Sequence, residues 1–519
     1  MSSISKYIAL LYKSREQTPQ HQLELIKDIN RRGFLKQITQ ITLFSAFANQ
    51  CCAVPSEYTS FLPDMGDSDR ATLSPTEANF LGRQVIQDIS NQGDMLPDYD
   101  VLAYLNDIGS VLASYSPLAG QDFNFYIIKE KDINAFALPG GYICVYNGLI
   151  YCTLSEAELT GVMAHEISHV VQHHIFRNIA NYQREQWKAL AGILAGGLMA
   201  VANPAAGMLA INSTQGIAMQ NMLSFSRDFE READRIGQKI MYNAGYDPHA
   251  MPSFFQRLKD ANRFNDNEAY AFLRTHPVTS ERLSEAEERA NDLTVKMRPD
   301  SPSFLLVREK CRIRQIGTDD AFKFYTNALK SKKYTSIDSQ YYGVAFAAYT
   351  DKKYAVGLNS IAKMSDPAYR DHPASISLKA QLFAATNNFA MSNKIYQIGL
   401  DSYPTYKNLW LGRVDLFISS KHYKEAAKSL DDLSQSYPQD SDVWSRIAVL
   451  NSDSVLDNKQ KYYYALGNQQ YLLANYKAAL EKYMLAIKVA NADSVLNDVI
   501  SAKISDTEDM IKYQKRYGA

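Results

Sequence analysis

Apolar residues recur at helical spacing around Leu159, Val162, Met163 and Val170, which predicts an amphipathic helix. Ser155 and Glu158, three positions apart, predict a capping box at its start. Upstream, Tyr142-Ile143-Cys144-Val145-Tyr146 is a short β-prone run between two turn signals, Pro139-Gly140-Gly141 and Asn147-Gly148, and predicts a strand. A longer apolar stretch covers residues 189–202, is interrupted by Asn203-Pro204 and continues over 205–211. Fourteen residues are fewer than the ~20 a membrane span needs. The expectation is a helical hairpin, either buried or covering a cleft with peripheral membrane contact through 189–211.

Beyond Pro299-Asp300-Ser301-Pro302, a linker signal, the apolar pattern becomes periodic. Phe389/Tyr423, Tyr403/Tyr437, Pro404/Pro438, Trp410/Trp444 and Leu416/Leu450 are each 34 apart. A later unit carries Leu466-Gly467, Tyr476, Ala479, Tyr483 and Ala486, with about 19 extra residues breaking the register between Tyr423 and Tyr476. Those positions and that period resemble tetratricopeptide repeats, in which helix pairs stack into a solenoid.

A chain of 519 residues exceeds one domain. With 55 Lys+Arg against 56 Asp+Glu it lacks the basic excess of a nucleic-acid binder, so no nucleic-acid partner is expected. Five cysteines exclude a disulfide framework. Cys144 and Cys152 read as buried apolar groups. Arg31-Arg32-Gly33-Phe34-Leu35-Lys36, the apolar run 38–48 and its ending Ala46-Phe47-Ala48 form a charged, apolar and small-residue sequence of the twin-arginine export type. The expected organisation is therefore a signal over 1–48, a first domain over 49–298, a linker over 299–310 and a repeat domain over 311–519, with the mature chain in the periplasm.

His165-Glu166-Ile167-Ser168-His169 is HExxH, set inside the predicted helix. Residues four apart share a helix face, so both imidazoles can meet one Zn²⁺ at ~2.0–2.1 Å. Glu166 stands beside them, able to take a proton from the activated water. A catalytic zinc needs a third protein ligand. Position 175, where one zinc-protease pattern places a His, is Ile175. Glu230 and Asp234, four apart, offer a ligand and a partner for a liganding histidine; Glu232 and Glu185 compete. His276, in Arg274-Thr275-His276-Pro277, is a candidate gate or fourth ligand. Zinc proteases bind substrate extended on a strand edge, which makes Asn134, Ala135 and Phe136 candidates for that strand.

Residues 74–289 resemble the gluzincin family that includes the heat-shock membrane proteases and CAAX endopeptidases. Beyond HExxH the likeness rests on Asn134–Gly141, Gly148-Leu149-Ile150, Glu158, His174 and Ser226-Arg227…Glu230…Ala233-Asp234. The resemblance implies zinc ligands His165, His169 and Glu230, general base Glu166, and Asp234 and His174 in support. Phe229 departs from membrane-embedded members, which have Arg there. The implied fold is mainly α: a zincin-type metalloprotease domain with a small β-sheet, then an α-solenoid of tetratricopeptide-like repeats. The implied function is an endopeptidase with one Zn²⁺, polypeptide substrates that are misassembled outer-membrane proteins, and outer-membrane assembly machinery as a partner. The competing reading is a non-proteolytic chaperone or scaffold acting through the repeats.

Overall fold

Ser74 opens the first described helix, α1 (Pro75–Asn91), by a reciprocal cap: its hydroxyl accepts from Glu77 N–H and the Glu77 carboxylate accepts from Ser74 N–H. The computed structural model describes residues 74–117, 122–175, 177, 227–262, 271–294, 298–489 and 493–517. The expected signal over 1–48, the apolar segment 189–211, Glu185 and Ser226 lie outside them. Among the described residues no helix is long and apolar enough to cross a membrane.

Helix α2 (Tyr99–Ser114) follows, capped by Asp98. Strands β1 (Asn124–Ile128), β2 (Ala135–Leu138) and β3 (Tyr142–Tyr146) form a three-stranded sheet in the order β1-β3-β2. β3 runs parallel to β1 and antiparallel to β2. The tight β2–β3 turn needs its glycines: Gly140 and Gly141 have φ of 82° and 84°. Short α3 (Asn147–Cys152) leads to α4 (Glu156–Val171), the helix predicted from the apolar stripe. Its cap is half of what was expected. Ser155 accepts from Glu158 N–H, but the Glu158 carboxylate reaches Leu154 N–H and Arg257 instead of closing the box. Helices α5 (Arg227–Asn243), α6 (Ala250–Asn262), α7 (Ala271–Thr275) and α8 (Ser280–Asn291) complete the module. Its core gathers Leu105, Phe125, Ile143, Leu159, Met163, Ile240, Phe254 and Phe272. Cys144, Cys152 and Cys311 are unpaired.

The expected linker 299–310 is not a linker. Helix α9 (Pro302–Ile316) begins there because Ser301 caps the Phe304 N–H and Pro302 takes a first-turn position where no N–H is needed. Phe304, Leu305, Val307 and Cys311 belong to the same core as α4. Helices α10 (Thr318–Ser331), α11 (Ile337–Thr350), α12 (Tyr354–Ile361), α13 (Pro367–Arg370), α14 (Pro373–Ala385), α15 (Phe389–Ser402), α16 (Lys407–Ser419), α17 (Tyr423–Ser436), α18 (Ser441–Leu450), α19 (Lys459–Leu472), α20 (Tyr476–Ile487) and α21 (Ser494–Tyr517) follow. The 34-residue spacing is a repeated bond. Trp410 Nε1 donates to Pro404 O at 2.7 Å, and Trp444 Nε1 to Pro438 O at 2.9 Å. Gly412 and Gly467 admit Tyr396 and Tyr483: a Cβ would meet the Tyr396 hydroxyl and the Tyr483 ring, each at 2.4 Å.

The repeats fold back on the first module. Lys310 and Arg314 of α9 ion-pair with Asp98, and Lys310 also with Asp100. Tyr406 Oη and Asn408 Nδ2 donate to Asp100 at 2.9 and 2.6 Å. At the far end Tyr513 packs edge-on against Phe80, and Arg83 reaches Leu472 O.

His372, at the start of α14, accepts from Ala374 N–H at Nδ1 and lies 2.9 Å from Ser303 Oγ at Nε2. The ring is therefore neutral, and burial pushes its pKa down to about 4. The unfolded chain binds this proton first, near pH 6.5. Stability contributed here is complete above that pH and lost as pH falls towards 4. Urea unfolding should show a loss of about 3 kcal/mol over that window attributable to this ring. His372→Asn, which keeps a side-chain cap, should flatten that part of the profile.

Candidate metal centre

Helix α4 carries His165, Glu166 and His169 on one side, all fully buried. Helix α5 lies against it so closely that a Cβ on Gly237 would sit 3.0–3.1 Å from the backbone of Ala164 and His165. A side chain there would prise the helices apart. The close approach brings Glu230 Oε2 to 3.5 Å from His165 Nε2 and Glu230 Oε1 to 3.4 Å from His169 Nε2. The two Nε2 atoms are 3.0 Å apart. Donors bound tetrahedrally at 2.0–2.1 Å stand about 3.3 Å from one another, so these three side chains have the spacing of ligands to one small ion. His276 joins them, with Nδ1 2.9 Å from Glu230 Oε1 and 3.4 Å from His165 Nε2. Among the described residues these four form the one group placed to hold a metal.

The surroundings set the charges. Burial works against charge on His165, but hydrogen bonding to Asp234 and Glu230 outweighs it and lifts the ring to about 9. Burial pushes His169 well below the usual histidine range, with Glu230 only partly offsetting it. Burial would raise Glu230, but the neighbouring His276 ring and Arg282 guanidinium hold it well below the carboxylate range. Asp234 Oδ1 lies 3.0 Å from His165 Nδ1 and fixes that ring from behind. Glu166 differs from both acids: burial raises its pKa, with His276, His165 and the Ala137 N–H opposing. Neither carboxylate oxygen of Glu166 has a well-formed hydrogen bond. A buried carboxylate without such a bond, beside a cluster of metal donors, is what a proton acceptor for water needs.

The strand edge is more selective than the sequence suggested. Asn134 O accepts from Tyr146 N–H, so the ladder bonds of β2 fall on 134, 136 and 138 and the peptide groups between them point away from β3. Of Asn134, Ala135 and Phe136, only Ala135 turns its main chain outward. Ala137, two residues on, does the same.

Arg282 was missed. Glu281-Arg282-Leu283 carries no motif that singles Arg282 out, yet Arg282 is buried. Its Nη1 lies 2.7 Å from Glu230 Oε2, and Nε and Nη2 form a fork on Asp234 at 2.7 and 2.9 Å. Nη1 also donates to Pro277 O, so one side chain ties Glu230 to the His276 loop. The competitor Glu232 points elsewhere: its Oε2 lies 3.2 Å from His174 Nε2 and pairs with Arg177.

The model of peptidase family M48 matches residues 102–290. The beta-barrel assembly-enhancing protease of Yersinia pestis is 30% identical over 405 residues, 77% of this chain and 82% of that protein. This chain belongs to peptidase family M48. The Escherichia coli beta-barrel assembly-enhancing protease is 28% identical over 491 residues, 93% of this chain and 96% of its own length. A mitochondrial metalloendopeptidase of Schizosaccharomyces pombe is 30% identical over 213 residues, 40% of this chain and 59% of that protein. The M48 chain described here is a metalloprotease, and its matched residues enclose every donor of the cluster.

Proposed function

We propose that this M48 chain is an exported zinc metalloendopeptidase that hydrolyses misfolded or misassembled outer-membrane proteins. Its helical repeats select those clients or engage the outer-membrane assembly machinery. The observation that carries the chemistry is the meeting of His165, His169, Glu230 and His276 within 4.8 Å of one another, with Glu166 alongside. Export is supported by the Arg31-Arg32 pattern and its apolar run, and the client class by the beta-barrel assembly-enhancing proteases that resemble this chain over most of its length.

His165, His169 and Glu230 would hold one Zn²⁺. Bound there, zinc supplies Lewis acidity that polarises the scissile carbonyl and makes a water acidic near neutral pH. Asp234 and His174 keep the two imidazoles turned inward. Glu166 takes the proton of the attacking water and passes it to the leaving amine. Ala135 and Ala137 hold the substrate backbone as an added strand. His276, the fourth donor of the cluster, would complete the ligand set at rest and would have to move aside to admit substrate.

Metal analysis of the purified mature chain should give one zinc per molecule. Glu230→Ala should lose the metal and the digestion of an unfolded outer-membrane protein together. His276→Ala should keep the metal and raise hydrolysis several-fold. Zinc-loaded wild type that leaves unfolded protein intact would remove the peptidase reading; an intact residue 1 on the envelope-purified chain would remove the export reading.

A further inference from the structure

We propose that Phe229, together with Arg177 and Glu232, is a positioning group for the metal centre: it fixes His174 and, through it, the orientation of His169. The inference rests on the metal reading above and adds residues to it.

The two imidazoles of HExxH are supported unequally. His165 has a carboxylate directly behind it, Asp234. His169 has another imidazole. Helix α4 ends with His173 in the left-handed region, φ 53°, which turns the chain so that His174 comes back beneath the helix. His174 Nδ1 then lies 2.9 Å from His169 Nδ1, and His174 Nε2 lies 3.2 Å from Glu232 Oε2. One arrangement of protons satisfies this chain while leaving a lone pair on His169 Nε2 for a metal. His169 donates from Nδ1, His174 accepts at Nδ1 and donates from Nε2, and Glu232 accepts. The tautomer of His169 is thus set by a carboxylate two residues removed from it in space.

Such a relay works only while the His174 ring keeps its plane, since rotation about its Cβ–Cγ bond would break both bonds. Phe229 supplies that restraint. Its ring stacks on His174 at 4.4 Å between centroids and 11° between planes. The Arg177 guanidinium lies 4.3 Å over the Phe229 ring and pairs with the same Glu232 oxygen at 3.0 Å, so cation, ring and carboxylate hold one another. Phe suits position 229 because it is flat and uncharged. A cation there would lie against His174 and draw Glu232 out of the relay.

The test uses the full mature chain as wild type, Phe229→Leu, Phe229→Tyr and Glu232→Ala. Zinc affinity is measured by competition with a chromophoric chelator, geometry by the visible spectrum of the cobalt-loaded protein, and folding by the thermal midpoint of the metal-free protein. Phe229→Leu and Glu232→Ala should bind zinc about 10-fold more weakly or worse, with altered cobalt bands and little change in the metal-free midpoint. Phe229→Tyr, which keeps the ring, should retain both affinity and spectrum. Unchanged affinity and spectrum in Phe229→Leu would overturn the inference, and so would an equal loss in Phe229→Tyr. Wild type that takes up no zinc would overturn the metal reading itself and this inference with it.

Discussion

Glu166→Gln is expected to lower peptide hydrolysis about 10³-fold while leaving metal content unchanged. Amide and carboxylate are nearly isosteric, and Glu166 is not among the four side chains that converge as donors. What disappears is the group that accepts and returns a proton, a contribution worth about 10²–10⁴ in rate. The thermal midpoint should hold or rise. Glu166 is fully buried, its ionised form is disfavoured by burial, and exchanging it for a neutral amide removes that cost. Metal analysis, a scan of thermal unfolding and a digest of unfolded protein on one preparation check all three statements. Loss of metal in this variant would mean that Glu166 is a ligand.

Lys310→Met is expected to destabilise the protein by about 3–5 kcal/mol, the range for breaking a buried ion pair from one side. Lys310 Nζ lies 2.9 and 3.0 Å from the Asp98 oxygens and also bonds Asp100. All three side chains are buried, with 7% of Lys310, 6% of Asp98 and 3% of Asp100 exposed. Asp98 keeps Arg314 in the variant, and Asp100 keeps only the neutral donors Tyr406 and Asn408. Urea unfolding gives the size. Adding Asp100→Asn should recover part of the loss, because the charge left alone is then gone; full additivity of the two changes would show that they do not interact.

What the sequence revealed followed from locality. HExxH needs only a helix to align two rings, and the helix was legible from four apolar positions. Strand β3 spans Tyr142–Tyr146, bounded by the turn residues that flanked it in the sequence. The Trp–Pro spacing survives as a repeated indole–carbonyl bond. What the sequence hid depends on distant partners. Arg282 looks like any surface cation until α8 lays it on Glu230 and Asp234. Pro302 reads as a breaker, yet it is the first residue of a helix whose apolar side completes the core around α4. Asp98 and Asp100 draw no notice in the sequence, because their cation lies more than 200 residues away. Phe229 looked like a mere departure from a family pattern; only its position against His174 gives it work.

The bonds that close the molecule on itself join residues 306, 308 and 389 positions apart. Contacts of such separation are slow to find during folding, because a long loop must be closed before they return any energy. Helix α1 must wait for Leu472 of α19 and Tyr513 of α21. A polypeptide not yet made as far as those helices therefore carries a cleaving module that lacks its outer brace, and full assembly of the protease is timed by their arrival.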